Sequence, residues 1–146
     1  MELLTSSALG ALEVNDASVI DFPEGLLGFA TLKKFILLER DDTAPFQWLQ
    51  SLTDPRVALP VVDPHRIFGN YSCTPTTEDL FSLGVRSCSD VLVLVVAIIP
   101  EDPFNTTVNL RAPVLINYKE MLGRQIISEG SGDVRTRVIP LESQSD

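Results

Sequence analysis

Residues 91–99 read VLVLVVAII, nine apolar residues without a break, and this run constrains the fold more than any other stretch. A membrane helix needs ~20 such residues, so the run is too short to span a bilayer. It is rich in β-branched side chains and bounded by Asp90 and by Pro100, Glu101, Asp102 and Pro103. It therefore reads as a strand, apolar on both faces. At about 3.3 Å per residue such a strand is roughly 30 Å long. It must be covered on both sides, by a helix on one and an opposing sheet on the other, or by a partner.

The rest of the chain shows little helical periodicity. Short runs of β-branched and aromatic residues recur at 8–14, 18–22, 34–39, 45–52, 57–63, 90–99, 106–117 and 124–129. Pro, Gly, Asp and Asn separate them, in FPEGLLG, RDDTAP, TDP, DPHR, PEDPFN and KEMLG. Strands at this spacing predict an all-β barrel or sandwich. One short helix is predicted over 77–83. Thr76 is placed to cap it, Asp79 sits three residues on, and Gly84 is placed to stop it. A second short turn is predicted over 29–34. Repeats, linkers and a second periodic block are absent from the sequence, so residues 1–146 read as one domain with a frayed tail at 139–146.

The chain carries 11 Lys and Arg against 20 Asp and Glu, a formal net charge of −9. Direct binding of nucleic acid requires cations against phosphate, and no basic cluster is present. A basic partner fits this charge; so does simple solubility. The N-terminus has neither a basic region nor the apolar core of a signal peptide. The two cysteines, Cys73 and Cys88, are too few for a disulfide framework or a zinc site. Free thiols are expected, with a single bridge left open.

Candidate chemistry is sparse. The one histidine, His65, lies two residues after Asp63, a pairing that serves either as half of a catalytic arrangement or as part of a surface loop. The serines lack a nucleophile-elbow setting, and GLLG at 25–28 has neither a phosphate loop's lysine nor dinucleotide spacing. The pairs Asp41–Asp42, Glu78–Asp79 and Glu101–Asp102 suit turn and cap chemistry, and no third ligand completes a metal site. Neither a cofactor nor a metal is expected. In FPEGLLGF at 22–29, Phe22, Leu26, Leu27 and Phe29 either plug a barrel end or form an apolar lip at its rim. Trp48 is expected in the core.

The segment 106–117 alternates. Val108, Leu110 and Ala112 face one way, Thr107, Asn109 and Arg111 the other, and Pro113 then removes a ladder donor. This predicts an edge or bulged strand. Its polar face is either fixed by internal hydrogen bonds or available to a partner.

Taken together, FPEGLLGF (22–29), PFQWLQSL (45–52), DPRVALPVVDP (54–64), PEDPFNTTVNLRAPVLIN (100–117) and GRQIIS (123–128) resemble the family of the flagellar assembly factor FliW. TSSALGALEV (5–14) fits the family's opening strand. The resemblance runs in order over residues 5–140. It departs at Pro60, where a Phe usually follows the Leu and where a bulge is expected, and in the polar segment 65–76.

The resemblance implies a small, mostly antiparallel β-barrel with one short helix. It implies a cytoplasmic binding protein, not an enzyme, that binds and antagonises the RNA-binding regulator CsrA and also binds flagellin. Flagellin secretion would then free it to inhibit CsrA and so couple flagellin translation to export. No direct nucleic-acid or membrane contact is expected. The partner contact is predicted at Glu101, Asp102 and Phe104, and along Asn109 and Arg111. The competing reading is a small hydrolase or metal-dependent enzyme built on His65 and nearby carboxylates.

Overall fold

The computed structural model describes residues 2–7, 10–14 and 16–138, with side chains from residue 17 onward. The predicted frayed tail at 139–146 lies outside the described residues. A hairpin, β1 (Glu2–Ser7) and β2 (Gly10–Val14), forms a two-stranded sheet of its own. The remaining strands are β3 (Ile20–Asp21), β4 (Lys34–Glu39), β5 (Gln47–Ser51), β6 (Ala58–Val62), β7 (Leu92–Ile98), β8 (Thr107–Val108), β9 (Val114–Asn117), β10 (Leu122–Gln125) and β11 (Thr136–Arg137). Their order is β11-β8-β7-β6-β5-β4-β3-β10-β9, and β9 pairs back onto β7. Seven strands, β3 to β7 with β9 and β10, thus close a barrel. Every pairing is antiparallel except β3 with β10. The expected mostly antiparallel barrel is observed.

Alternation along the strands separates an inner core from an outer layer. Ile20, Phe22, Phe35, Leu49, Val61, Leu94, Val114 and Ile116 fill the interior. Phe22 meets Phe35 edge to face, with ring centres 5.5 Å apart. Val62, Val95, Ala97, Val108 and Leu110 point outward and are covered by Tyr71, Ile67 and Phe68 of the 64–71 segment. Tyr71 is locked there by donating its hydroxyl to the Leu110 carbonyl at 2.9 Å.

Helix α1 (Thr77–Ser82) leads into a third cluster through its C-cap Leu83, which is buried with Leu115 and Ile126. It forms where its caps predict. Thr76 Oγ1 accepts from the Asp79 amide, and the Asp79 carboxylate accepts from the Thr76 amide. Leu83 is its C-cap, Gly84 follows at φ +73°, and buried Asn117 donates its Nδ2 to the Leu83 carbonyl at 2.7 Å.

The nine-residue apolar run is β7 and its flanks. Leu94 faces the barrel interior and Val95 the outer layer, so both faces are covered at mid-strand. The cover differs from expectation: the 64–71 segment lies over Val95 and Ala97, while Val91 and Val93 pack against a cluster that Leu83, the C-cap of α1, joins. Ile98 and Ile99 remain exposed.

Two other expectations are corrected. Residues 106–117 are not one strand but β8 and β9, which pair in turn with β7 in registers three residues apart. The segment is bulged, but it is not an edge. β8 is flanked by β7 and β11, and β9 by β7 and β10.

Pro60 does not bulge its strand, since β5 and β6 stay in register from Gln47↔Val61 to Gln50↔Ala58. The Ser51 amide donates to the Val57 carbonyl, which makes alternate positions the bonded ones and turns the Pro60 nitrogen away from β5. It faces β7, and the β6–β7 ladder contains only Val61↔Val96 and Val62↔Val95. The ladder ends where the missing donor would be needed.

Candidate partner-binding face

The face is assembled from the 22–29 turn, the β7–β8 hairpin and the approach to β11, with Leu59 of β6 and Gln125 of β10 between them. In the turn, Leu26 and Phe29 exchange backbone hydrogen bonds of 3.3 and 2.7 Å. Leu27 and Gly28 form its tip, with Gly28 at φ +85°, a conformation natural to glycine. The motif divides its labour. Phe22 and Leu26 plug the barrel, Leu27 stands outward, and Phe29 is half-buried. Both readings of FPEGLLGF hold, for different residues.

Gln125 on β10 fixes the tip. Its Oε1 accepts from the Leu27 amide at 2.8 Å, and its Nε2 donates to the Ala112 carbonyl at 2.9 Å. One side chain therefore joins the glycine turn to the break between β8 and β9. The result is a groove of about 220 Å³ floored by Phe29, Leu59 and Val96, with Leu27, Ile98 and Val134 on its rim and Thr107, Asn109, Gln125 and Arg135 as polar neighbours. The rim residues Leu27, Ile98 and Val134 are 56%, 54% and 51% exposed, more than isolated surface residues beside an apolar floor require.

The predicted contact residues divide between this groove and its surroundings. Asn109 lines the groove and is fixed internally: its Oδ1 accepts from the Arg111 and Ala112 amides, each at 3.1 Å, and its own amide donates to the Val96 carbonyl. This side-chain-capped turn opens the strand before Pro113, and it explains why the segment breaks there. Arg111 projects its side chain into solvent, while its carbonyl accepts from the Ser128 amide at 2.7 Å.

Glu101, Asp102 and Phe104 lie at the hairpin tip, at the other end of β8. Asp102 caps the 3-10 turn Pro103–Asn105 by accepting from the Phe104 amide at 3.0 Å. Phe104 is exposed, and its carbonyl accepts from Arg137 of β11, which also donates to Asn105 Oδ1. Glu101 is exposed. Two of the five, Asp102 and Asn109, hold the backbone; Glu101, Phe104 and Arg111 present free surface.

Sequence reasoning did not single out Ile98 or Val134. The signal for Ile98 was present in the excess of apolar residues in 91–99 over what two layers can cover. Val134 has no such signal, because it lies in a turn before β11, outside any strand that could show a period. Trp48, expected in the core, is half-buried and donates its Nε1 to Thr43 Oγ1 at 2.9 Å.

His65 lies elsewhere, on a second groove of about 400 Å³ shared with Asp63, Tyr71, Cys73 and Cys88. Asp63 caps the 3-10 turn Pro64–Arg66 through the His65 amide, and its Oδ1 is 2.9 Å from His65 Nδ1. The imidazole also meets Tyr71 edge to face, at 5.8 Å between ring centres. Among the described residues the second ring nitrogen makes no side-chain hydrogen bond, and no group of three or more His, Cys, Asp or Glu is placed to hold a metal ion. The other carboxylate pairs do turn and cap work: Asp42 binds Arg40, and Asp79 caps α1.

Comparison with known proteins places this geometry in context. A family profile described as "FliW protein" matches residues 3–138. The chain is 40% identical over 128 residues to the flagellar assembly factor FliW of Geobacter sulfurreducens, covering 88% of this chain and 80% of that protein. It is 42% identical over 130 residues to the flagellar assembly factor FliW of Pseudothermotoga lettingae, covering 88% and 83%. Among solved structures, a crystal structure of the flagellar assembly factor FliW superposes with a TM-score of 0.87 at 27% identity, over 95% of this chain and 98% of that one. No helix among the described residues is long and apolar enough to cross a membrane.

Proposed function

The chain belongs to the FliW family, and from that premise we propose that it is a cytoplasmic flagellar assembly factor acting by protein binding. In this reading it binds the translational regulator CsrA and antagonises it, and it binds flagellin in a separate complex. Secretion of flagellin then releases it to act on CsrA. The observation that carries the reading is the groove with its half-exposed rim of Leu27, Ile98 and Val134. An apolar floor, convergent polar groups and an exposed apolar rim are what a protein partner uses to anchor a side chain or a helix. The net charge of −9 favours a basic partner over RNA itself, and it would set negative charge beside any RNA that partner holds.

The test is a pull-down from the native cytoplasm with the full chain as bait, repeated with Ile98→Ser and Val134→Ser together. Recovery of CsrA or flagellin by the parent, and loss of one of them by the variant, supports binding at the groove. Recovery of neither by the parent removes the proposal. His65→Ala separates this reading from an enzyme built on the His65–Asp63 pair: unchanged capture favours the adaptor, whereas a hydrolytic activity lost in that variant favours the enzyme.

A further inference from the structure

Cys73 and Cys88 carry free thiols whose sulfur atoms stand 3.6 Å apart, at van der Waals contact. Both are half-buried and open onto the second groove, beside Asp63, His65 and Tyr71. Each is held from a different direction. Cys73 sits between Tyr71, anchored on the Leu110 carbonyl, and Thr74, whose amide donates to Ser128 Oγ at 2.8 Å. Cys88 opens the 3-10 turn Cys88–Asp90, capped by Ser87, which leads into β7. The pair therefore stands at the two ends of the segment that contains α1.

We propose that Cys73 and Cys88 form a modification site, a dithiol that closes to a disulfide and reopens by exchange with a small-molecule disulfide and its thiol. A disulfide holds its sulfurs ~2.05 Å apart, and side-chain rotation from van der Waals contact covers that distance.

With oxidised glutathione the step balances. The thiolate of Cys88 attacks one glutathione sulfur, the glutathione disulfide breaks, and one glutathione leaves as thiolate and takes up a proton. Cys73 then loses its proton and attacks the Cys88 sulfur of the mixed disulfide, expelling the second glutathione. Two electrons and two protons pass from the protein dithiol to one oxidised glutathione, giving two reduced molecules. Burial, reinforced by the bond with Cys88, pushes the Cys73 thiol up to about 12, so Cys73 does not open the exchange, and its later attack is driven by proximity, the two sulfurs standing 3.6 Å apart. The closed bridge would tie the two ends of the α1 segment to each other. The site is separate from the partner groove and does not rest on the function proposed above.

The full chain is equilibrated in glutathione buffers of graded oxidised-to-reduced ratio, quenched with acid and alkylated, then read by intact mass and peptide mapping. The expected product at oxidising ratios has lost two thiol hydrogens, carries no glutathione, yields a linked Cys73–Cys88 peptide and reverts in excess reduced glutathione. Its Tm rises by several degrees over the reduced protein, because the bridge restricts the unfolded chain. In Cys88→Ser neither the linked peptide nor the rise in Tm should form. A persistent glutathione adduct on the parent protein, a disulfide-linked dimer, or full alkylation of both thiols at every ratio overturns the proposal.

Discussion

The edge of the Phe22 ring occupies the space in which a Cβ of Gly123 would stand. Gly123 is buried in β10, opposite Ile116 of β9, and Phe22 is fully buried against Phe35. The aromatic of one motif and the glycine of another are thus two halves of one packing contact. Gly123→Ala should destabilise by about 1–3 kcal/mol, the usual cost of forcing extra volume into a filled core. Chemical denaturation measures it. Phe22→Leu added to Gly123→Ala should recover part of the loss, and strict additivity of the two would show that the ring is not the obstacle.

Asp79 is buried and holds two partners at once, the Thr76 amide at the start of α1 and Arg124 Nε of β10 at 3.2 Å. Arg124 reaches on to Glu24 at 2.6 Å, so helix, barrel and glycine turn are joined through one guanidinium. Thr76→Ala removes a cap and should cost ~1 kcal/mol. Asp79→Ala should cost more, about 2–4 kcal/mol, because it also leaves Arg124 facing a site that has lost its charge. Equal melting temperatures for the two variants would mean that the Arg124 contact contributes nothing.

Alkaline pH should unfold the protein along a defined window. Burial, with the nearby thiols adding to it, raises Tyr71 from its ordinary 10.0 to about 12. Cys73 is raised from 9.0 to about 12, again chiefly by burial. Below pH 9 both groups are protonated in the folded and unfolded chain alike, and the stability they contribute is fully present. From 9 to about 12 for Cys73, and from 10 to about 12 for Tyr71, the unfolded chain releases protons that the folded chain retains, so stability falls as pH rises. Denaturation midpoints should be flat in this respect near neutrality and decline above pH 9. Tyr71→Phe should lower stability at neutral pH, through loss of its bond to Leu110, and yet flatten the decline above pH 10. An unchanged alkaline slope in that variant would show that Tyr71 does not ionise on unfolding.

Val95 is fully buried beneath the 64–71 segment. Val95→Asp would place a carboxylate there without a partner and should cost several kcal/mol, enough to prevent folding at ordinary temperature. Ile98→Asp, three residues along the same strand but exposed, should be nearly neutral to stability. A parent-like melt for Val95→Asp would overturn the assignment of that face as covered.

The contrast between Val95 and Ile98 also marks how far the sequence was legible. The strand as an apolar run is local information, and so are the α1 caps and the glycine turn at 25–28. Which of its apolar residues lack cover depends on the 64–71 segment, whose polar, Pro-bounded sequence gives no sign that Tyr71, Ile67 and Phe68 fold back over the barrel. The break at 109–113 was half visible. Pro113 was conspicuous, but the residue that opens the strand is Asn109, and only the turn shows its side chain capping two amides. β11 and the parallel pairing of β3 with β10 were not legible, because two-residue strands carry no period and their partners lie far away in the chain. Among the predicted contact residues, the exposed Phe104 and Glu101 were readable as surface; the groove was not, since its wall comes from six segments.

If the proposed partner CsrA meets this protein at the hairpin tip, charge and apolar contact should separate in the kinetics. Exposed charges act over roughly 8 Å at physiological salt, so Glu101 and Asp102 should steer encounter and little else. The test for them is Glu101→Gln with Asp102→Asn, since Asn keeps the cap that Asp102 provides to the Phe104 amide and the turn stays intact. Association should slow, most visibly at low salt, while dissociation is unchanged. Phe104 is exposed at the tip, with its backbone held by Asp102 and Arg137, and it is therefore presented as a rigid apolar group. Phe104→Ala should leave association nearly unchanged and speed dissociation about tenfold, the equivalent of ~1.4 kcal/mol lost from an anchoring contact. Surface plasmon resonance at two salt concentrations reads both rates. If both variants keep the parental rates at both salts while Ile98→Ser weakens binding, the contact is the groove and the tip is scaffold. If all three leave the kinetics unaltered, CsrA binds on another face of the barrel.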